Sequence, residues 1–136
     1  MLESIKEYLK DKMAADLATC DNGQPRLRPM TLMHLEDKLW IATGTTDAKS
    51  AQLASNPLCE ALLHIKKEQN SGYIRISAKA VLITDLALKK TIADFSDFVY
   101  DYFPEAADEG YALYELVPHS IRLMKPGEMY ETEMLK

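Results

Sequence analysis

The chain has 136 residues, a formal net charge of -5, and 47% hydrophobic against 27% charged residues. That balance fits one soluble domain, 1–136, with a small core. It argues against a non-specific nucleic-acid binder, which needs a basic face, and no apolar run approaches the roughly 20 residues that cross a bilayer. Leu2, Ile5, Tyr8 and Leu9 recur at helical spacing, so the pattern predicts one amphipathic helix over 2–12. The same stretch, MLESIKEYLKDK, lacks the apolar centre of a signal peptide. Cys20 and Cys59 fit no CxxC or zinc spacing and read as reduced thiols of a cytoplasmic protein.

MAADLATC reads as a strand, and Asp21-Asn22-Gly23 as a hairpin turn, since Asn and Gly tolerate positive φ. The returning arm, RLRPMTLMH, puts Arg26, Arg28, Met30, Leu32 and His34 on one face and Leu27, Thr31, Met33 and Leu35 on the other. Pro29 predicts an edge or a bulge there. LEDK turns the chain into a third strand, LWIAT. A loop and short helix follow, with Asp47 as N-cap and Asn56-Pro57 as the stop. LCEALLHI and GYIRISAKAVLIT are two more strands joined by the polar KKEQNSG, and Asp85 caps a second helix rich in Phe and Tyr. YALYELV and SIRLM finish as strands on either side of Pro118. Six or seven short strands with three interspersed helices predict a mainly β fold, an antiparallel barrel with flanking helices.

Chemistry concentrates between Arg26 and Ser50. A helix start offers free N–H groups and the positive end of a dipole, and Lys49 and Ser50 add an ammonium and a hydroxyl to it. An arginine from the neighbouring strand adds a fork of donors suited to phosphate. The competing reading is a solvated helix lysine and surface arginines. His34, His64 and His119 fall on different strands with no HxxH or HExxH spacing, so no metal site is predicted. No nucleophile–base pattern is visible, and the sequence names no catalytic residue. The aromatic stretch Asp94–Phe103 reads first as core packing, and second as the lining of a cofactor cleft or of a dimer interface.

PRLRPM, LWIATGTTDAKSAQLASNP and GYIRISAKAVLITD together resemble the pyridoxamine 5'-phosphate oxidase-like family of flavin-binding split barrels, including its short general-stress-type members. The resemblance covers roughly residues 10 to 125. It implies an antiparallel split β-barrel, bound FMN, and a homodimer with the flavin in a cleft between subunits; some relatives use a deazaflavin or haem instead. Carried over residue by residue, the family's flavin-binding segment falls on Arg28, Pro29, Met30 and Thr31, its strand-end threonine on Thr43, and its phosphate-binding lysine on Lys49, with Ser50 beside it. The implied function is that of an FMN-dependent oxidoreductase working with a small-molecule electron donor and acceptor. The alternatives are a non-catalytic flavin-binding or sensing protein, or a cofactor-free interaction module. The match is incomplete. Ala48-Lys49 stands where the full oxidases have Arg-Lys, Tyr73 where the family has a glutamine, and Ala78 where it favours glycine. The oxidase's C-terminal signature, R-x-x-P-x-x-x-E-x-W, is absent, so pyridoxal-phosphate formation is not implied.

Overall fold

The computed structural model describes residues 2–135. Apolar–polar alternation makes strands whose apolar faces must be covered, and the chain covers them by rolling its sheet up. The strands are β1 (Lys12–Asp21), β2 (Gln24–Leu35), β3 (Lys38–Gly44), β4 (Leu58–Lys67), β5 (Asn70–Leu82), β6 (Tyr111–Met124) and β7 (Thr132–Leu135). They lie in the order β3-β2-β1-β4-β5-β6-β7, and neighbours in that order pair antiparallel. A further antiparallel pairing of β3 with β6, from Leu39 opposite Leu116 to Gly44 opposite Tyr111, closes the first six strands into a barrel.

The joints are unequal. β1 and β2 pair along their length, but β1 meets β4 only at Asp16–Ala18, and β2 meets β3 only at Met33–Leu35. The barrel is therefore split, and β2 keeps an open edge from Gln24 to Leu32. Pro29 stands in that stretch, where its missing N–H is tolerated, as the sequence predicts. Two apolar clusters result. Leu17, Leu32, Ile41, Ile74, Ile76 and Ile121 fill the barrel. Met33, Trp40, Tyr111 and Leu113 face outward and are covered by Ile92 and Val99 from the helices. Each such buried side chain contributes about 1.5–3 kcal/mol relative to exposure.

Turn chemistry behaves as expected. Asn22 (φ 50°) and Gly23 (φ 85°) make the β1–β2 turn. The helix α1 spans Ala48–Ser55 and stops at Asn56. Asp85 caps α2 (Leu86–Ser96) by accepting from the Ala87 N–H at 2.9 Å.

Several elements differ from expectation. The predicted helix over 2–12 is a 3-10 helix, Glu3–Tyr8, because Leu2 and Ile5 are buried in the barrel while Tyr8 and Leu9 pack on it only in part, and Lys12 already belongs to β1. The polar KKEQNSG is mostly strand, with only Glu68 (φ 58°) and Gln69 at the turn, since ladder hydrogen bonds do not depend on side-chain polarity. β6 runs unbroken through Pro118. Ser77 opposes Ser120 and Ala78 opposes Pro118, so His119 is an extra residue that bulges the strand at the proline. The helix after Asp85 breaks at Asp97 (φ 70°) before the one-turn α3, Val99–Tyr102, whose start is held by the Ser96 hydroxyl accepting from Val99 N–H at 3.0 Å.

The tail adds a strand that the sequence pattern does not predict. β7 pairs with β6 at Ile121–Leu123, and Glu131 ties it down. Its carboxylate accepts from Arg75 Nη2 (2.7 Å) and Nε (2.9 Å), the Tyr73 hydroxyl (2.7 Å) and Arg122 Nε (3.2 Å). Arg75 first, then Tyr73, holds the Glu131 carboxyl down from its ordinary 4.5 to about 2. A depressed folded-state pKa contributes stability above the unfolded value and loses it as pH falls toward the folded one. Protection of the β7 amides should therefore decline from about pH 4.5 toward 2 in the parent. Glu131→Gln should show low protection already at neutral pH and little acid dependence. Hydrogen exchange across that range tests this, and equal protection in both proteins would contradict it.

Candidate functional site

A cleft of about 580 Å³ opens where the end of β3, the middle of β2 and the entry to α1 meet α3. Met30 and Thr31 come from β2, and Ala42, Thr43 and Gly44 from β3. Thr46, Asp47 and Lys49 come from the loop and first turn of α1. Phe98, Val99, Tyr102 and Phe103, with Gly110, make the rest of the lining. One side of the cleft is thus aromatic and the other carries hydroxyls, a backbone N–H and an ammonium. A planar aromatic ligand with a polar or anionic extension suits such a division.

The polar side is organised around one atom. Asp47 Oδ2 accepts from Thr43 Oγ1 (2.6 Å), Lys49 Nζ (3.1 Å) and Gly44 N–H (3.2 Å). The Thr43 hydroxyl, followed by the Gly44 N–H and Lys49, lowers the Asp47 carboxyl from 3.8 to about 2. Asp47 occupies the N-cap position, as the sequence predicts, but its side chain makes no capping hydrogen bond to α1 and turns back to β3 instead.

Of the residues singled out from sequence, Met30, Thr31, Thr43 and Lys49 line this cleft together. Pro29 lies in an adjoining groove that shares Met30 and Thr31 with it. Ser50 is buried beneath the loop, and its hydroxyl donates to the Gly44 carbonyl at 2.7 Å. Arg28 is turned under α1. Its guanidinium donates to Thr19 Oγ1 (2.7 Å), Gln52 Oε1 (2.9 Å) and the Leu17 carbonyl (3.2 Å). Burial pushes its pKa down. Sequence reasoning missed Asp47 as the partner of Thr43 and Lys49, although a carboxylate four residues after one and two before the other, in a loop, is the available signal. It ranked the aromatics as core first. Phe98 and Phe103 do pack on the outer cluster, and both also line the cleft.

A second depression, of about 600 Å³, lies where β1 and β4 part, with Tyr8, Lys10, His64 and Lys66 at its rim. Its charges are mixed and scattered, and no set of donors converges in it. Among the described residues no group of three His, Cys, Asp or Glu side chains gathers to hold a metal.

Comparison with known proteins agrees with this fold. The chain is 27% identical over 127 residues to General stress protein 26 of Bacillus subtilis (strain 168), covering 93% of this chain and 89% of that protein. General Stress Protein 26 from Bacillus anthracis str. Sterne has a similar solved structure, with a TM-score of 0.76 at 21% identity over 98% of this chain and all of that one. An FAD-binding protein from Mesorhizobium loti has the same fold at 13% identity, with a TM-score of 0.69 over 89% of this chain and 90% of that one. The model of one family, pyridoxamine 5'-phosphate oxidase, matches residues 1–125. With that match spanning the whole barrel and every residue that lines the cleft, the chain belongs to the pyridoxamine 5'-phosphate oxidase family.

Proposed function

We propose that the protein is an FMN-binding flavoprotein that acts as an oxidoreductase on small-molecule donors and acceptors, and that it works as a cytoplasmic homodimer. The observation that carries this reading is the divided cleft: aromatic rings on one side, and on the other a hydroxyl, an N–H and an ammonium that already converge on a carboxylate oxygen. That donor set is the chemistry an FMN phosphate requires, and the facing rings suit a flat heterocycle. The family match adds to it, since the group commonly binds flavin.

In this reading Lys49, Thr43 and the Gly44 N–H hold the phosphate, while Met30, Thr31 and the aromatic wall position the ring and exclude water from one of its faces. Arg28 seats α1, Pro29 stands on the open edge of β2 beside the cleft, and Ser50 closes the 44–50 loop from behind. The flavin supplies the two-electron chemistry and the protein supplies binding, orientation and electrostatics. The open edge of β2, with Leu27 at 70% exposure, supports a second subunit there. Two free thiols, Cys20 and Cys59, suit a reducing compartment, and no described helix is long and apolar enough to cross a membrane.

The first test is the absorption spectrum of the purified protein, followed by titration of the apoprotein with FMN and with riboflavin. FMN is expected to bind. Hydrogen bonds to charged groups contribute roughly 1.5–3 kcal/mol, so Lys49→Ala should lose about ten- to a hundredfold in FMN affinity. Riboflavin binding should barely change, and Lys66→Ala should leave both alone. A protein that takes up haem and no flavin would overturn the cofactor reading. FMN binding unaffected by Lys49→Ala would overturn the phosphate seat.

A further inference from the structure

Three of the donors on the polar side of the cleft are already engaged by the chain itself. Thr43 Oγ1, Gly44 N–H and Lys49 Nζ all donate to a single oxygen, Asp47 Oδ2, at 2.6, 3.2 and 3.1 Å. Asp47 is the residue placed to cap α1, yet its carboxylate is spent on β3 and the Lys49 ammonium and makes no capping hydrogen bond to the helix backbone. Lys49 and Asp47 are also the sole cation and anion among the described residues that line the cleft. With the carboxylate in place the polar side is close to neutral; with it withdrawn, the side carries one positive charge.

We propose that Asp47 is a resident anion: its carboxylate sits where a ligand's phosphate is to sit, and the phosphate must displace it to reach Thr43, Gly44 and Lys49. Asp47 then sets the anion selectivity of the site, because every incoming negative charge competes with a tethered one. This rests on the flavin reading of the cleft and deepens it.

Geometry makes the exchange possible. The Asp47 side chain is 50% exposed, while the Lys49 side chain is only 17% exposed. Asp47 sits in extended backbone (φ -68°, ψ 149°) just outside the helix. Rotation of its side chain alone would carry the carboxylate into solvent and leave β3 and Lys49 in place. Acid does not relieve the competition, because the carboxyl stays ionised down to about pH 2, well below the second ionisation of a phosphate monoester near about pH 6. A ligand-free state that is self-satisfied lowers apparent affinity by the fraction of molecules in which the seat is open. A site of this kind holds FMN more loosely than its donors alone allow, and releases it into a protein whose polar groups remain paired.

The opposite role is a positioning one, in which Asp47 holds Thr43 and Lys49 ready and helps the phosphate bind. The two roles differ in the sign of one measurement. Asp47→Asn keeps the shape and an acceptor for Gly44 and Thr43 but removes the charge. It should raise FMN affinity by about tenfold, because the incoming dianion no longer has to displace a charged carboxylate from Lys49 and its neighbours, and leave riboflavin affinity unchanged. Adding Lys49→Ala should abolish the gain. Asp47→Ala provides a second variant without the charge, and melting temperatures report whether either disturbs the loop.

A flavin-free arm uses inorganic phosphate, followed through the amide shifts of Gly44 and Ser50. Saturation is expected at about tenfold lower phosphate in Asp47→Asn than in the parent. FMN affinity that falls or stays level in both variants, with phosphate binding no tighter, overturns the proposal and makes Asp47 a positioning residue. If no variant takes up flavin but the charge-free ones gain phosphate, the FMN reading fails and the resident anion stands. If no variant takes up flavin and none gains phosphate, both fall.

Discussion

Gly72→Ala is expected to cost more stability than any other glycine-to-alanine change in the chain. Gly72 lies in β5 opposite Ile65 and is buried where β6 turns away toward Pro126. A Cβ built there would meet the Met124 carbonyl oxygen at 2.3 Å, Pro126 N at 2.7 Å and the Lys125 carbonyl carbon at 2.9 Å. All three are backbone atoms, so no flexible side-chain end can swing aside. Overpacking of this kind costs about 1–3 kcal/mol, occasionally more. For a chain of this size that corresponds to a fall of roughly 3–10 °C in melting temperature. Gly44→Ala is the contrast, since its nearest neighbour is the Asp47 carboxylate at 3.4 Å, an ordinary contact, and its melting temperature should stay within a degree or two of the parent's (about 0.5 kcal/mol). Thermal melts of the two variants decide it, and a Gly72→Ala melt equal to that of Gly44→Ala would show that the 124–126 backbone gives way freely.

The second large effect concerns Arg28. The sequence reading aims its guanidinium at phosphate, but in the fold it spans the Leu17 carbonyl, Thr19 and, on α1, Gln52. These partners are neutral oxygens reached in two directions, which a planar fork can manage and a lysine ammonium cannot. Arg28→Ala removes a charged donor to each, at about 1.5–3 kcal/mol. The melt should fall, and the amides of Leu53 and Asn56 should exchange faster as α1 loosens from the barrel. Arg28→Lys should recover little. FMN affinity should drop as well, as a consequence of moving Lys49, and the riboflavin comparison should narrow. If stability and α1 exchange are untouched while FMN alone is lost, Arg28 is a direct phosphate ligand and its contacts to Thr19 and Gln52 are incidental.

Much of the barrel is legible in the sequence because period-two alternation and short turn signals are local. Asn22-Gly23 and Asn56-Pro57 each fix a boundary without reference to anything distant. What resists reading depends on partners far along the chain. Pro118 looks like a strand break until β5 is placed beside it and a bulge at His119 takes up the difference. Thr132–Leu135 has little strand pattern and becomes β7 because Arg75, Arg122 and Tyr73 hold Glu131 next to it. The candidate site divides in the same way. Lys49 is suggested by the helix start and Thr43 by the family resemblance, and both line the cleft because one short loop joins them. The direction in which Arg28 and Asp47 point is decided by competition among acceptors, and spacing carries no information about that. The aromatic wall is ranked second in the sequence for another reason: Phe98 and Phe103 pack on the core and line the cleft at once, and composition favours the commoner role.

The shared edge of β6 also bears on how the chain is made. β6 offers one side to β5, and divides the other between β3 and β7. Until β6 exists, β3 is held to the sheet only through Met33–Leu35 of β2, and the backbone groups of its other edge have no strand to meet. During synthesis at about 5–20 residues per second, β3 leaves the ribosome several seconds ahead of the strand that will cover it. Over that interval a nascent chain presents Leu39 and Ile41 on an open ribbon, the kind of edge that recruits a neighbouring copy. Barrel closure is a late, long-range event for this topology, so the segment most exposed to mispairing in the newborn chain is the one that later carries Thr43 and Gly44.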